Sequence, residues 1–137
     1  MAGKTLKIGI VMDPIESITP YKDSSLAMLL EAARRDAEIH YFQQRDLKLV
    51  GGAAFGQSTL LEVRDDNDDW YTAGATQEVA LGDLDVLLMR KDPPFDMEYV
   101  YTTYILDRAL AAGALVVNNP QALRDMNEKA YTAWFPE

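Results

Sequence analysis

The sequence predicts an α/β domain, a Rossmann-like layer sandwich with a mainly parallel sheet and a β-hairpin insertion. Largely apolar runs at 6–12 and 86–89 are typical of strands buried on both faces of a parallel sheet. A polar loop and then a helical pattern follow each run, so strands and helices alternate along the chain. The stretch after Gly51-Gly52 instead alternates apolar and polar residues, which indicates an antiparallel hairpin.

In the first half of the chain, the strand at 6–12 ends at Asp13-Pro14, and a proline-containing loop runs from 13 to 22. The next segment carries apolar residues at helical spacing. Its first turn offers three side chains that can cap a helix: Asp23, Ser24 and Ser25. A second strand is predicted at 38–42, and the hairpin insertion then occupies 46–64.

In the second half, the strand at 86–89 leads to a helix over about 97–112, which ends at Gly113. The spacing of its apolar side chains predicts one stripe that faces the core, made of Tyr101, Tyr104, Ile105 and either Ala109 or Leu110. A fourth parallel strand is predicted at 115–117. Pro120 is placed to open a short further helix.

Polar loops follow three of the four predicted parallel strands, at 13–22, 90–96 and 118–120. Right-handed crossovers place these strand ends along one edge of the sheet, where open α/β folds bind ligands. The middle loop holds three charged residues, Arg90, Lys91 and Asp92, and is stiffened by two prolines. A surface ion-pair cluster would be the simpler interpretation. The position favours a binding role, in which Arg suits a carboxylate and Lys a phosphate or developing negative charge.

The composition excludes several classes of function. The net charge is −9 and basic residues do not cluster, which argues against nucleic acid or an anionic membrane as a partner. The absence of cysteine rules out disulfides and thiolate metal sites. No apolar run approaches the ~20 residues of a membrane span, and the first residues lack a signal-peptide core. We therefore expect a cytoplasmic protein.

No catalytic residue can be assigned from the sequence. The single histidine, His40, lies within a predicted strand and is interpreted as structural. No nucleophile with a nearby base is recognisable, and the glycine fingerprint of dinucleotide binding is missing. The acidic run at 65–69 lacks the ligand spacing of a calcium loop and is interpreted as a solvated turn. No metal site is predicted.

Several short motifs, taken together, resemble bacterial glutathione synthetase. They are Gly-Ile-Val-Met-Asp-Pro at 9–14, Lys-Asp-Ser-Ser at 22–25, Met-Arg-Lys-Asp-Pro-Pro-Phe-Asp at 89–96, Asn-Glu-Lys at 127–129 and Thr-Ala-Trp-Phe at 132–135. The eight-residue motif is the most specific of these. The similarity extends from about Leu6 to the last residues.

The resemblance implies a pre-ATP-grasp, substrate-binding domain at 1–126 and the start of the ATP-grasp part at 127–137, with the remainder absent. Members of this family use ATP and magnesium to join γ-glutamylcysteine to glycine through an acyl phosphate. Because family members are longer, we expect a fragment that is inactive alone. Most of the ATP and magnesium sites would then lie outside this chain.

The resemblance also implies roles for individual residues. Arg90, Lys91 and Asp92 match the loop that faces the peptide substrate, and Lys129 matches the lysine that reaches the nucleotide phosphates. The expected partners are γ-glutamylcysteine, glycine and ATP, and a homo-oligomer is left open. The alternative interpretation is a stand-alone small-molecule-binding or oligomerisation module without catalysis.

Overall fold

The computed structural model describes residues 5–91 and 96–120, which form one mixed β-sheet with an α-helix on each face. The strands are β1 (Lys7–Val11), β2 (Glu38–Phe42), β3 (Leu47–Val50), β4 (Ala53–Val63), β5 (Tyr71–Ala80), β6 (Val86–Met89) and β7 (Leu115–Val117). The helices are α1 (Ser24–Arg34) and α2 (Met97–Ala111). Neither helix of this described part has the length and hydropathy needed to span a membrane.

The four predicted parallel strands are confirmed. They lie side by side in the order β2-β1-β6-β7, and each neighbouring pair is parallel. The chain crosses from β1 to β2 in one direction and from β6 to β7 in the other. Right-handed crossovers therefore place α1 and α2 on opposite faces. One core cluster accordingly contains Leu29 of α1 and the other contains Leu106 of α2.

The sheet is mixed, although the sequence predicted a mainly parallel one. The predicted hairpin is present as β3 and β4, which are antiparallel, and β4 joins it to β2. The strand β5, which pairs with the other edge of β4, was not predicted. Its central residues 72–78 are all exposed and are mostly small or polar. A strand without a buried face lacks the hydrophobic period on which strand prediction depends.

The predicted core stripe of α2 is right for Ile105 and Ala109, which pack in the core, and wrong for its two tyrosines. Tyr101 and Tyr104 are 62% and 48% exposed, and the helix buries Tyr99, Thr102, Thr103 and Leu106 beside Ala109. The threonine hydroxyls donate to carbonyl oxygens one turn back, over 2.9 Å from Thr102 to Glu98 and 2.6 Å from Thr103 to Val100. A threonine satisfied in this way can face the core at little cost. The helix is therefore rotated relative to the apolar pattern.

Of the three side chains predicted as possible caps of α1, one forms the N-cap. The Asp23 carboxylate accepts a hydrogen bond of 2.8 Å from the Leu26 amide. Leu26, Leu29 and Ala32 then face the sheet and are buried. An N-cap of this type contributes about 1 kcal/mol to helix stability.

Phe42 is fully buried where the parallel and antiparallel parts of the sheet meet. Glycines on both neighbouring strands leave room for its ring. A β-carbon at Gly56 of β4 would lie 2.6 Å from Phe42 Cε1, and one at Gly9 of β1 would lie 3.3 Å from Phe42 Cε2. The aromatic ring thus occupies space that any larger residue at either glycine would need.

We expect Gly56→Ala to lower the free energy of unfolding by about 1–3 kcal/mol, because the added methyl group overpacks a filled core. The cost should shrink in a Phe42→Leu background, where the ring atoms that meet the methyl group are absent. Urea unfolding of both single variants and the double variant measures this coupling. Gln57→Ala, at the exposed neighbouring position, is the control. Equal costs of Gly56→Ala in the two backgrounds would contradict the packing argument.

Candidate functional site

The carboxyl ends of the parallel strands form one edge of the sheet, which we call the rim. It comprises residues 12–25, 43–45, 90–91 and 96–98, which follow β1, β2 and β6. Two polar cavities open there. Residues 118–120 follow β7 at the same edge, but they line neither cavity.

Arg90 and Lys91 extend the parallel ladder beyond β6 and point to opposite faces of the sheet. The Arg90 amide donates to the Val11 carbonyl over 2.8 Å, which fixes the backbone at this point. Successive side chains of an extended chain alternate between faces. The Arg90 Nε accordingly donates to Ser25 Oγ of α1 over 3.2 Å, whereas Lys91 Nζ lies 3.0 Å from Asp13 Oδ1.

Each of the two basic residues lines its own cavity. The Arg90 cavity has a volume of about 190 Å³ and is lined by Met12, Asp13, Ile18, Lys22, Asp23, Ser24, Ser25 and Arg90. The Lys91 cavity has a volume of about 180 Å³ and is lined by Met12, Asp13, Pro14, Gln43, Gln44, Arg45, Lys91, Asp96 and Glu98. Met12 and Asp13 border both. Each cavity contains acidic and basic side chains, an arrangement suited to a zwitterionic ligand such as an amino acid or a peptide.

The loop after β1 is held in place through the backbone of Ile15. The Ile15 amide donates to the Tyr41 hydroxyl over 3.1 Å, and the Ile15 carbonyl accepts from Trp70 Nε1 over 3.0 Å. The Ile15 side chain itself is buried. Two aromatic residues of β2 and the β4–β5 connection therefore fix the segment that carries Asp13.

The rim also includes residues that the sequence analysis missed. Gln43, Gln44 and Arg45 follow β2 and line the Lys91 cavity. The Gln44 Nε2 atom is buried and has no hydrogen-bond partner among the described residues. The signal was available, because β2 was predicted to be parallel to β1 and its carboxyl end must then lie at the same edge.

His40 is a buried, hydrogen-bonded residue of β2, which agrees with the structural role predicted for it. Its Nδ1 lies 2.6 Å from Ser58 Oγ and its Nε2 lies 2.7 Å from Glu38 Oε1. His40 is only 2% exposed and Ser58 is fully buried. No substrate could reach this serine, so the row of three side chains cannot act as a nucleophilic site.

Two of the predicted site residues fall outside the described part of the chain. Asp92 belongs to the segment 92–95, and Lys129 belongs to the segment 121–137. The predicted start of an ATP-grasp part at 127–137 falls there as well, and so does the predicted helix beyond its first residue, Pro120. Of the four predicted site residues, the structure therefore describes Arg90 and Lys91 alone.

Comparison with known proteins gives a consistent result. The family model described as "Prokaryotic glutathione synthetase, N-terminal domain" matches residues 6–124. The chain belongs to this family. Glutathione synthetases of Yersinia pestis and Vibrio cholerae are each 58% identical to it over 132 residues, and that of Salmonella typhimurium is 57% identical over the same length. The resemblance deduced from the short motifs is thereby confirmed.

The aligned region is 96% of this chain but only 41% of the Yersinia pestis relative and 42% of the other two. The chain thus spans about two fifths of the length of these glutathione synthetases. The family match includes Arg90, Lys91 and Asp92 and ends before Lys129. The rim lies wholly within the matched region.

The anchoring of Ile15 predicts a loss of stability at alkaline pH. Burial raises the pKa of Tyr41, so the folded protein keeps this phenol protonated at a pH where the unfolded chain, with a pKa of ~10, releases the proton. The folding stability that this difference in pKa contributes is fully present below pH ~10. It is lost as the pH rises further, through the higher pKa of the folded state. We expect Tyr41→Phe to reduce the loss of folding stability with rising pH in the alkaline range. It should also cost about 1–3 kcal/mol at neutral pH, because the Ile15 amide loses its acceptor.

Urea unfolding midpoints between pH 8 and pH 11 measure both effects. Tyr101→Phe, at an exposed position of α2, is the matched control. A Tyr41→Phe variant with the same pH dependence as the parent chain would contradict the assignment.

Proposed function

We propose that this chain is the amino-terminal, substrate-binding domain of an ATP-dependent ligase that joins γ-glutamylcysteine to glycine. Membership of the family and the names of the relatives support the ligase. Because the chain spans about two fifths of those relatives, the complete reaction belongs to a longer protein. The role proposed for this part is to bind and orient the peptide.

A single observation carries the binding role. Consecutive basic residues, Arg90 and Lys91, diverge into two mixed-charge cavities separated by Asp13. γ-Glutamylcysteine is a zwitterion with two carboxylates and one ammonium group, so it needs basic and acidic partners at a defined separation. The guanidinium of Arg90 can bind a carboxylate through two parallel hydrogen bonds. Asp13 and Asp23 are the nearby acceptors for an ammonium group.

In the reaction we propose, the cysteinyl carboxylate attacks the γ-phosphorus of ATP, forming an acyl phosphate and releasing ADP. The glycine amine then attacks the acyl carbon, loses a proton, and expels inorganic phosphate. The rim residues contribute by positioning: they hold the peptide so that its carboxylate meets the nucleotide in a productive geometry. Asp92 is proposed as part of the same substrate loop.

The nucleotide and metal sites are proposed to lie mostly in the remainder of the longer protein. Among the described residues, no group of three His, Cys, Asp or Glu side chains is arranged to hold a metal ion. We assign none of these described residues to magnesium. Lys129 is proposed to contact the ATP phosphates, as the family resemblance implies.

The division of roles predicts different kinetic effects in the longer enzyme. Arg90→Ala should mainly weaken the use of γ-glutamylcysteine, and Lys129→Ala should mainly weaken the use of ATP. Losing a charged partner of a desolvated substrate group costs about 2–5 kcal/mol, or roughly thirty- to several-thousand-fold. Steady-state kinetics with each substrate varied in turn measures the effects.

Arg35→Ala, which removes an exposed arginine at the carboxyl end of α1, is the matched control. Thermal melts of all variants establish that they remain folded. Kinetics unchanged in both Arg90→Ala and Lys129→Ala would leave Arg90 with only its structural contact to Ser25, and the binding proposal would fail.

We expect the present chain alone to show no ligase activity. It holds about two fifths of a relative's length, and its described residues offer no metal site to offset the charge that develops in phosphoryl transfer. An assay with ATP, magnesium, γ-glutamylcysteine and glycine should give no ADP above background. Turnover by this chain would show that the complete site lies within it.

A further inference from the structure

The two cavities of the rim differ in how their charged groups are paired. In the Lys91 cavity, Lys91 Nζ and Asp13 Oδ1 lie 3.0 Å apart, and the two side chains are 21% and 32% exposed. Each of these charges therefore already has an opposite charge beside it. In the Arg90 cavity, by contrast, no carboxylate of the described residues forms an ion pair with Arg90 or with Lys22. This cavity keeps charges that the described part of the protein does not neutralise.

The Arg90 guanidinium is held at its Nε and presents its terminal nitrogens. The Nε donates to Ser25 Oγ over 3.2 Å, and Ser25 is buried in the first turn of α1. Within the described part of the chain, the two terminal nitrogens have no hydrogen-bond partner. Their parallel N–H groups match the two oxygens of a carboxylate. The amino end of α1 borders the same cavity, and the positive end of the helix dipole also favours a carboxylate there.

Asp23 supplies a negative charge to the same cavity. Its Oδ1 caps α1 by accepting a hydrogen bond of 2.8 Å from the Leu26 amide. Its Oδ2 has no hydrogen-bond partner among the residues that the structure describes. Such an oxygen can accept from an ammonium group. The cavity of about 190 Å³ thus presents a pair of donors and a charged acceptor, and it is small enough to suit one end of a ligand.

We propose that the Arg90 cavity binds the γ-glutamyl end of γ-glutamylcysteine, an assignment that rests on the proposed function. The α-carboxylate contacts the terminal nitrogens of Arg90, and the ammonium group contacts Asp23. Only this end of the dipeptide carries an ammonium group and a carboxylate on one carbon atom, since the cysteinyl end has a carboxylate and a thiol. The remainder of the dipeptide then extends past Asp13, and the cysteinyl carboxylate lies on the Lys91 side of the rim.

Glycine also carries both charges on one carbon atom, but the chemistry of the proposed reaction argues against it as the occupant. Its nitrogen must lose a proton before it can attack the acyl carbon. A carboxylate beside an ammonium group stabilises the protonated form. Asp23 therefore suits an ammonium group that takes no part in the reaction, which is the one at the γ-glutamyl end.

Two analogues of the dipeptide test the assignment in the longer enzyme: γ-aminobutyrylcysteine lacks the α-carboxylate, and glutarylcysteine lacks the ammonium group. Arg90→Ala should lower kcat/KM at least about 30-fold with γ-glutamylcysteine but less than about threefold with γ-aminobutyrylcysteine. The second loss is small because this analogue has no carboxylate for Arg90 to bind. Asp23→Asn should lower kcat/KM about 10- to 100-fold with γ-glutamylcysteine and less than about threefold with glutarylcysteine. The KM for glycine should stay unchanged in both variants.

The controls separate binding from folding. Asparagine caps a helix about as well as aspartate does, so the melting temperature of Asp23→Asn should stay within about 3 °C of that of the parent. Asp36→Asn, which removes an exposed carboxylate just beyond the carboxyl end of α1, is the matched control for the loss of charge.

Two results would overturn the assignment and leave the proposed function standing. Equal losses in Arg90→Ala with γ-glutamylcysteine and with γ-aminobutyrylcysteine would mean that Arg90 binds the cysteinyl carboxylate instead. An Asp23→Asn enzyme that prefers γ-glutamylcysteine over glutarylcysteine as strongly as the parent does would mean that Asp23 does not bind the ammonium group. A longer enzyme that forms no peptide bond between γ-glutamylcysteine and glycine would instead contradict the proposed function.

Discussion

The Phe42 ring joins the parallel half of the sheet to the antiparallel half. It is fully buried on β2, between Gly9 of β1 and Gly56 of β4, and a methyl group at either glycine would collide with it or with its leucine neighbours. The strand β2 pairs with β1 on one side and with β4 on the other. Its position therefore determines where the β1–β2 crossover and the β3–β4 hairpin lie. The carboxyl end of β2 then brings Gln43 to the rim beside the end of β1.

The geometry of the site follows from the alternation of an extended chain. Arg90 and Lys91 are neighbours in sequence, yet one contacts Ser25 on the α1 side and the other pairs with Asp13. The Arg90 amide donates a hydrogen bond to the Val11 carbonyl. The Arg90 and Lys91 side chains therefore cannot exchange faces of the sheet unless this bond breaks. If the proposed function holds, a dipeptide bound across Asp13 meets two cations whose separation is set by the sheet, and such a rigid contact is what orienting a substrate requires.

The sequence predicted those elements whose burial leaves a clear hydrophobic period. The four parallel strands and the hairpin at Gly51-Gly52 were of this kind. It failed for β5, where exposed small residues such as Gly74 and Ala75 give no period. For α2 it predicted the helix but not the whole of its buried face, because Thr102 and Thr103 can face the core only when their hydroxyls bond to their own backbone. The sequence located the charged residues of the rim by their position after β6. It did not identify their partners, because Ser25 and Asp13 lie far away along the chain.

The proposed peptide site and one half of the hydrophobic core share one face of the sheet. Arg90 follows Leu88 by two residues, so both side chains lie on the face that carries α1. Ser25, which accepts the hydrogen bond from Arg90 Nε, lies in the first turn of that helix, and Leu29 one turn later is fully buried against the sheet. The packing of α1 therefore also sets the position of the Arg90 guanidinium, and a change that moves the helix is expected to weaken the proposed contact with the peptide as well as the fold.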